Sequence, residues 1–375
     1  MTEAGPEAAI PAPGLPPVVV TNLHRRYTGV SATVRALVPL QRRFRAIGLL
    51  DGGHLGLPPG MAVGDLLRQG WSRPRPWRWR VWHARRDLEI VLGLLLRSVL
   101  RQPWRVLFTS AAPKPPGVGL RWLIGRCDAV IATSGRSASF LPPGRVTATI
   151  HHGVDTAYYT PGDRWESDLP VVSADGSGGA YLIGCFGRIR PSKGCDLLVE
   201  ALIALLPSRP LFSAIFTGLA RPSERAYLDG MLARIRAAGL EHRIRFLGDL
   251  DRDTVRGCYR RTLLCVAASR REGFGLTPLE AMACGCAVLT SGAGVWPELI
   301  DGAVGRRFAT GSLESLTHEL ALLTAEPAEL VAMGRRARQR VLERHSLARE
   351  AAAIDAVYAG LLGSGLLGSA PALPG

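Results

Sequence analysis

The chain has 375 residues, 47% hydrophobic and 21% charged, enough to bury two cores and outside the range of disordered or fibrous proteins. Its formal net charge is +15: residues 1–170 hold 22 Lys and Arg against 11 Asp and Glu (+11), and the rest hold 24 against 20 (+4). Seven cysteines, an odd number with no C-x-x-C pair, argue against a disulfide or zinc framework and predict reduced, packed thiols in a cytosolic protein.

In chain order, residues 1–16 are Ala/Pro-rich and predict a loose tail, without the basic-then-apolar pattern of a secretory leader. PPVVVTN (16–22) reads as a buried strand that breaks into a loop at Asn22. Gly29 precedes a helical pattern for which Ser31 is the expected N-cap. The window Arg68–Arg105 holds ten Arg, two acids and five of the eight Trp. Arginine interleaved with indole suits an anionic membrane surface; single-stranded nucleic acid, or a solvated basic face over buried Trp, would give the same pattern. The apolar run IVLGLLL (90–96) is too short to span a bilayer. Strands are predicted at RVLFTS (105–110), DAVIATS (128–134) and RVTATIHHG (145–153), with apolar helical segments between them. Strand and helix in alternation predict a parallel sheet covered by helices.

Residues 161–180 are rich in Pro, Gly, Asp and Ser, which predicts a linker. A second alternating set follows, with strands at YLIGCFGRI, LFSAIFTG, HRIRFLG, LLCVAAS and CAVLTSG. From Glu326 to about Leu362 the pattern is helical. The expected organisation is a tail at 1–16, α/β domains at 17–165 and 166–344, a helix at 345–362 that returns to the first domain, and a tail at 363–375.

Two stretches of the second domain carry chemistry. GRIRPSKG (187–194) follows a strand and precedes a helix, and holds Arg188 and Lys193; the only other lysine is Lys114. Two cations on such a turn suit a diphosphate, though a solvated basic turn would look the same. REGFGLTPLEAMACG (271–285) places Glu272 before a Gly-Phe-Gly turn and Glu280 in TPLE. TPLE matches a capping box with Pro at the first helical position, so Glu280 can simply close a helix. Glu272 beside glycines and a helix N-terminus is suited to hydroxyls on a polar ligand. In an open parallel sheet the ends of these strands share one edge, so Arg188, Lys193, Glu272 and Glu280 can converge on one ligand.

Together, GRIRPSKG and EGFGLTPLEAMACG resemble the retaining glycosyltransferases of family 4, which have the GT-B fold of two facing Rossmann-like domains with a cleft between them. The match covers most of residues 181–305. RRYTGVSATV (25–34), VIATSGRSASFL (130–141) and HHGVDTAYYTP (151–161) resemble lipopolysaccharide core mannosyltransferases of α-proteobacteria. The resemblance implies that Arg188 and Lys193 neutralise the sugar-nucleotide diphosphate. It implies that Glu272 and the Gly273–Phe274–Gly275–Leu276 backbone hold the donor sugar, and that Glu280 takes ribose hydroxyls. Gly187 and Gly248 would border the donor, the base contacting backbone near Phe246–Asp249, and Gly29 would let a first-domain loop approach it. The implied catalytic residues are Glu272, Arg188 and Lys193.

The first-domain histidine of many family members is missing from FTSAAPKPPG (108–117), and His24, His151 and His152 are the remaining candidates. Asp249-Leu250-Asp251 and Asp251-Arg252-Asp253 each spell D-x-D, a metal site in another glycosyltransferase class, but at a strand–helix turn they are expected to cap. No metal or cofactor is expected. The expected substrates are GDP-mannose and an anionic, lipid-linked inner-core acceptor of the Kdo–lipid A type, used at the cytoplasmic face of the inner membrane, with no nucleic-acid partner. A family 4 hexosyltransferase using a UDP-sugar, and a basic module binding membrane or nucleic acid, are the alternatives.

Overall fold

The computed structural model describes residues 14–24, 29–52, 55–57, 60–162 and 181–363. Most of both expected tails, residues 25–28 of the first-domain motif and residues 163–180 of the expected linker lie outside the described residues. The chain divides into two compact units, one of residues 1–151 and 347–375, the other of 152–346.

In the first unit six strands form one parallel sheet: β1 (Val18–Asn22), β2 (Ile47–Asp51), β3 (Arg80–Ala84), β4 (Trp104–Ser110), β5 (Ala129–Ala132) and β6 (Ala148–Thr149), in the order β2-β1-β3-β4-β5-β6. Helices α1 (Gly29–Gln41), α2 (Val63–Gln69), α3 (Asp87–Leu94), α4 (Val118–Gly125) and α5 (Gly135–Ser139) connect them. A parallel sheet is covered on both faces, so its strands are buried along their length and mostly apolar; every residue of β1 and β3 is buried. Burial of β3 includes Arg80, whose guanidinium donates to Ser72 Oγ at 3.1 Å and whose pKa burial lowers to about 10. The expected strand at 145–153 is reduced to the two-residue β6 at the sheet edge. Ser31 does not cap α1. It sits inside the helix, and its hydroxyl donates to Asn22 Oδ1 at 3.1 Å, tying α1 to the end of β1.

The second unit repeats the plan with β7 (Tyr181–Phe186), β8 (Phe212–Thr217), β9 (Ile244–Gly248), β10 (Thr262–Ala267), β11 (Ala287–Ser291) and β12 (Gly305–Phe308), in the order β12-β11-β10-β7-β8-β9. Its helices are α6 (Cys195–Leu205), α7 (Arg225–Ala237), α8 (Arg252–Arg261), α9 (Thr277–Ala283), α10 (Trp296–Leu299), α11 (Leu313–Leu323) and α12 (Pro327–Arg344). All seven cysteines are free thiols and all but Cys258 are fully buried.

The division between units falls after His151, not at 165/166. The reason is local bonding of residues 154–160 to the second unit: Val154 N donates to His345 O at 2.8 Å, Arg338 Nη1 to Tyr159 O at 2.7 Å and Arg260 Nη2 to Thr160 Oγ1 at 2.7 Å. The final helix, α13 (Leu347–Leu362), starts two residues later than 345 and belongs to the first unit. Its Tyr358 hydroxyl lies 2.6 Å from His83 Nδ1 of β3, and Asp355 pairs with Arg45.

Candidate active site

In the second unit β7 has β8 on one side and β10 on the other, so strand order reverses there. The loops leaving β7 and β10 therefore open side by side at the C-terminal edge of the sheet, where such sheets bind ligands. The first loop is Gly187–Gly194, the second Ala268–Leu276. Gly187 has φ +113°, and a Cβ there would meet nothing within 4 Å, so the backbone borders open space. Gly194 has φ +66°, and a Cβ would lie 2.1 Å from Ala268 O, so only glycine lets the first loop rest on the second.

Helix α6 starts directly after Gly194 with no side-chain cap, presenting the positive end of its dipole at this crevice. Lys193 Nζ forms an ion pair with Glu272 Oε2, the two side chains 19% and 14% exposed. Glu272 also accepts from Ser269 Oγ and from Gly273 N, both at 3.3 Å. Arg188 is half-buried and, among the described residues, has no ion-pair partner. Gly187, Arg188, Lys193, Ser269, Thr277 and Trp296 line a single cavity. Two cations, one carboxylate and a helix N-terminus leave it net positive, fitted to an anion with hydroxyl groups close by.

The Gly-Phe-Gly turn is held from beneath. Trp296 Nε1 donates to Gly275 O at 3.3 Å, and the buried Phe274 ring meets the His152 ring edge-on at 4.8 Å. Arg270 joins the two loops: its guanidinium makes a bidentate pair with Asp196 at 2.8 Å and 2.8 Å and donates to Pro191 O at 2.6 Å.

Glu280 does not complete a capping box. Leu276, in helical conformation, is the N-cap of α9 without a side-chain bond, and Thr277 is already helical. The Glu280 carboxylate instead accepts from Tyr159 Oη at 3.1 Å and Tyr259 Oη at 2.9 Å. Burial raises its pKa and outweighs the opposing tyrosine hydrogen bonds and the Arg252 charge. A raised folded-state pKa means the native state takes up the proton first. Glu280 therefore favours the fold most below its unfolded pKa, and that contribution falls as pH rises through the folded value. Glu280→Gln is expected to raise Tm at pH 8, with the gain shrinking as pH is lowered into the ordinary carboxylate range. A gain that does not vary with pH in thermal melts contradicts this.

The D-x-D aspartates have structural work. Asp251 caps α8, accepting from Asp253 N and Thr254 N at 3.0 Å each, and Asp253 accepts from Tyr158 Oη at 2.9 Å and pairs with Arg256. Among the described residues no three His, Cys, Asp or Glu gather in metal-holding geometry.

A family model for group 1 glycosyl transferases matches residues 174–340, the stretch that builds this crevice. The chain is similar to the lipopolysaccharide core biosynthesis mannosyltransferase LpcC of Rhizobium leguminosarum bv. viciae, with 44% identity over 350 residues, covering 92% of this chain and 97% of that one. The chain belongs to the group 1 glycosyl transferases. LpsB of Rhizobium meliloti (strain 1021), likewise a lipopolysaccharide core mannosyltransferase by name, is 38% identical over the same shares. Among solved structures, Anabaena HepE in complex with UDP superposes with TM-score 0.76 at 20% identity, over 92% of this chain and all of that one. Sucrose-phosphate synthase from Thermosynechococcus elongatus gives 0.71 at 18% identity, over 92% of this chain and 98% of that one. These likenesses establish the GT-B fold.

In this glycosyltransferase the crevice brings together Gly187, Arg188, Lys193, Glu272, Gly273, Phe274, Gly275 and Leu276. Gly248 ends β9 at φ +77°, and its carbonyl accepts from Gly218 N at 2.7 Å. Gly29 belongs to the other unit as the first residue of α1, as do His24 and His151, whereas His152 lies in the second. Sequence reasoning missed Ser269, Thr277, Trp296, Arg270 and Asp196. Ser269 lies just before the recognised motif and Thr277 within it, read there only as a helix start, but the Arg270–Asp196 pair spans 74 positions and leaves no local pattern.

Proposed function

We propose that the chain is a retaining family 4 mannosyltransferase that moves mannose from GDP-mannose to an anionic inner-core acceptor of the Kdo–lipid A type at the cytoplasmic face of the inner membrane. The observation that carries this reading is the extent of the likeness to LpcC and LpsB. It spans 92% of the chain, and so includes the first unit as well as the crevice. That first unit also holds most of the positive charge, which suits a carboxylate- and phosphate-bearing acceptor.

The chemistry follows from the crevice. The donor diphosphate lies against Arg188, Lys193 and the start of α6. As the glycosidic bond to phosphate breaks, the sugar becomes oxocarbenium-like and negative charge grows on the departing diphosphate. Preorganised cations stabilise charge that develops in the transition state, which is how such groups raise kcat. Glu272 and the Gly273–Leu276 backbone orient the sugar hydroxyls. This departure is assigned no metal, since cations and helix amides supply the charge.

Incubation with Kdo-bearing lipid A and, separately, GDP-mannose, UDP-glucose, UDP-galactose and UDP-N-acetylglucosamine, followed by mass spectrometry, tests the assignment. A hexose added from GDP-mannose alone, with the donor's anomeric configuration kept by NMR, is expected. Addition only from a UDP-sugar rejects the mannosyl assignment.

A further inference from the structure

The arginine- and tryptophan-rich stretch of the first unit is not one uniform basic face. Trp82 and Trp104 are fully buried, and Arg80 and Arg85 are buried with them. Of the Arg and Trp that remain outside, six gather at one place, while Arg68, Arg75, Arg78, Arg86 and Trp77 lie elsewhere. Trp71, Arg73, Trp79, Arg97, Arg101 and Arg105 line an open groove of about 510 Å³. It lies where β3 and β4 begin, at the sheet edge opposite the one at which the strand C-termini open.

The groove is built. Arg97 and Arg105 both pair with Asp128, at 2.6 Å each, so two guanidiniums share one carboxylate while Arg73 and Arg101 add two more cations to the lining. Arg105 also stacks over the Trp79 ring, 4.6 Å from its centroid. Trp71 is half exposed, and its Nε1 donates to Leu100 O at 2.9 Å, fixing the indole beside the loop that carries Arg101. Arg101 itself has φ +52°, and it is the sole non-glycine residue in the left-handed region among those described. That left-handed residue closes the helix end, where glycine is usual, with Gln102 N donating to Leu96 O at 3.0 Å.

An apolar stripe runs into this groove. On α3 and the π-helical turn that continues it (Leu95–Val99), Leu88, Val91, Leu95 and Val99 are exposed, Leu88 and Val99 by 64% and 66%. Spacings of three and four residues place them along one side of the helix. The stripe ends two residues before Arg101. On α4, Val118 and Trp122 are exposed too, with Arg126 3.8 Å above the Trp122 ring. Large exposed aliphatics beside clustered cations mark a binding face. The chemistry that covers both at once is an acyl layer with phosphate above it: aliphatics enter the interface, indoles sit at headgroup depth and guanidiniums take phosphate oxygens. Among the described residues no helix is long and apolar enough to cross a membrane.

We propose that the groove at Trp71, Arg73, Arg97 and Arg101, with the Leu88–Val99 stripe, is a docking site for phosphate-bearing headgroups of an anionic bilayer, separate from the donor crevice. The site rests on the membrane placement in the proposed function, but not on the donor's identity.

The test uses the full chain and vesicles of equimolar phosphatidylcholine and phosphatidylglycerol, without sugar nucleotide. The wild-type protein is expected to co-sediment with them, less so as salt rises, and not with phosphatidylcholine alone. Arg73→Gln combined with Arg101→Gly should lower the partition coefficient by roughly 30-fold, about fivefold for each surface charge lost. Arg101→Gly relieves a left-handed φ, so Tm should hold or rise and weaker docking cannot be laid to misfolding. Leu88→Ser with Val99→Ser should weaken docking while its salt dependence persists. Equal partitioning of wild type and the arginine pair overturns the proposal. So does quenching of Trp71 fluorescence by inorganic phosphate as strong as that by vesicles. Displacement from vesicles by a single-stranded oligonucleotide, with tighter binding to it, would assign the groove to nucleic acid and likewise overturn it. A donor other than GDP-mannose leaves the docking result untouched, and lost docking leaves sugar transfer to a water-soluble acceptor intact.

Discussion

Lys193→Ala is expected to lower kcat/KM by roughly 10²–10³-fold, the scale of losing one preorganised electrostatic group, and adding Glu272→Ala should restore part of the lost nucleotide affinity. The reason is the Lys193–Glu272 ion pair, both side chains largely buried at the mouth of the crevice. Without Lys193, the Glu272 carboxylate stands uncompensated at the proposed diphosphate site, so a cation is lost and an anion unmasked together. Glu272→Ala does the reverse. It frees Lys193, so binding of a nucleoside diphosphate should hold or tighten while turnover collapses for want of the group proposed to orient the sugar. The double variant should bind nucleoside diphosphate better than Lys193→Ala alone, with a coupling energy of about 1–3 kcal/mol, as expected for residues in contact. Calorimetric titration of all four proteins with GDP measures that cycle. Strict additivity would mean that the two groups do not share a site.

The crevice was readable because each of its parts is local. GRIRPSKG and EGFGLTPLE each hold their glycines, cations and carboxylate within a few residues, and each follows an apolar run of strand length. The alternation of strand and helix then places both at one sheet edge. Other features have no such footprint. Strand β3 hides in RWRVWHARR because its buried Arg80 breaks the apolar run that marks a parallel strand. Helix capping at Thr277 was a sound local expectation, overridden when Tyr159 and Tyr259, 121 and 21 positions away, took both carboxylate oxygens of Glu280. The unit boundary was drawn at the Pro/Gly/Asp stretch by composition, whereas Arg338 and Arg260 bond residues 156–160 to the second unit by contacts that composition does not record. The pattern in the basic window was legible, but the face it forms was not: four arginines of similar local context divide into buried Arg80 and Arg85 and groove-lining Arg97 and Arg101.

Arg270→Ala is expected to cut kcat/KM by roughly 10–10²-fold although Arg270 is a positioning residue, because a misplacement of about 1 Å at a reacting centre can cost that much. Its guanidinium is what fixes the β10 loop, with Glu272 two residues on, against the β7 loop, with Lys193 three residues before Asp196. The pair is about a third exposed on each side, so its worth to stability is modest, on the order of 1 kcal/mol once solvent screening is allowed for. Activity should therefore fall much further than Tm. The loss should appear in kcat more than in KM, since Arg188 and Lys193, the proposed diphosphate contacts, are left in place. Arg270→Lys keeps the charge but not the planar fork, and should recover little. Acid adds a second readout. Burial pushes Asp196 up, but the hydrogen bonds from Arg270 and Tyr227 outweigh it and leave its pKa below the ordinary aspartate value. That contribution to stability is present above the unfolded aspartate pKa and is lost as pH falls through the lower folded value. Removing Arg270 raises the folded value, so the Tm difference between wild type and Arg270→Ala should be full at pH 7 and close as pH is taken below the aspartate range. An Arg270→Ala protein with wild-type kcat, or a Tm difference that does not change down to strongly acid pH, would show that the two loops are held by something other than this pair.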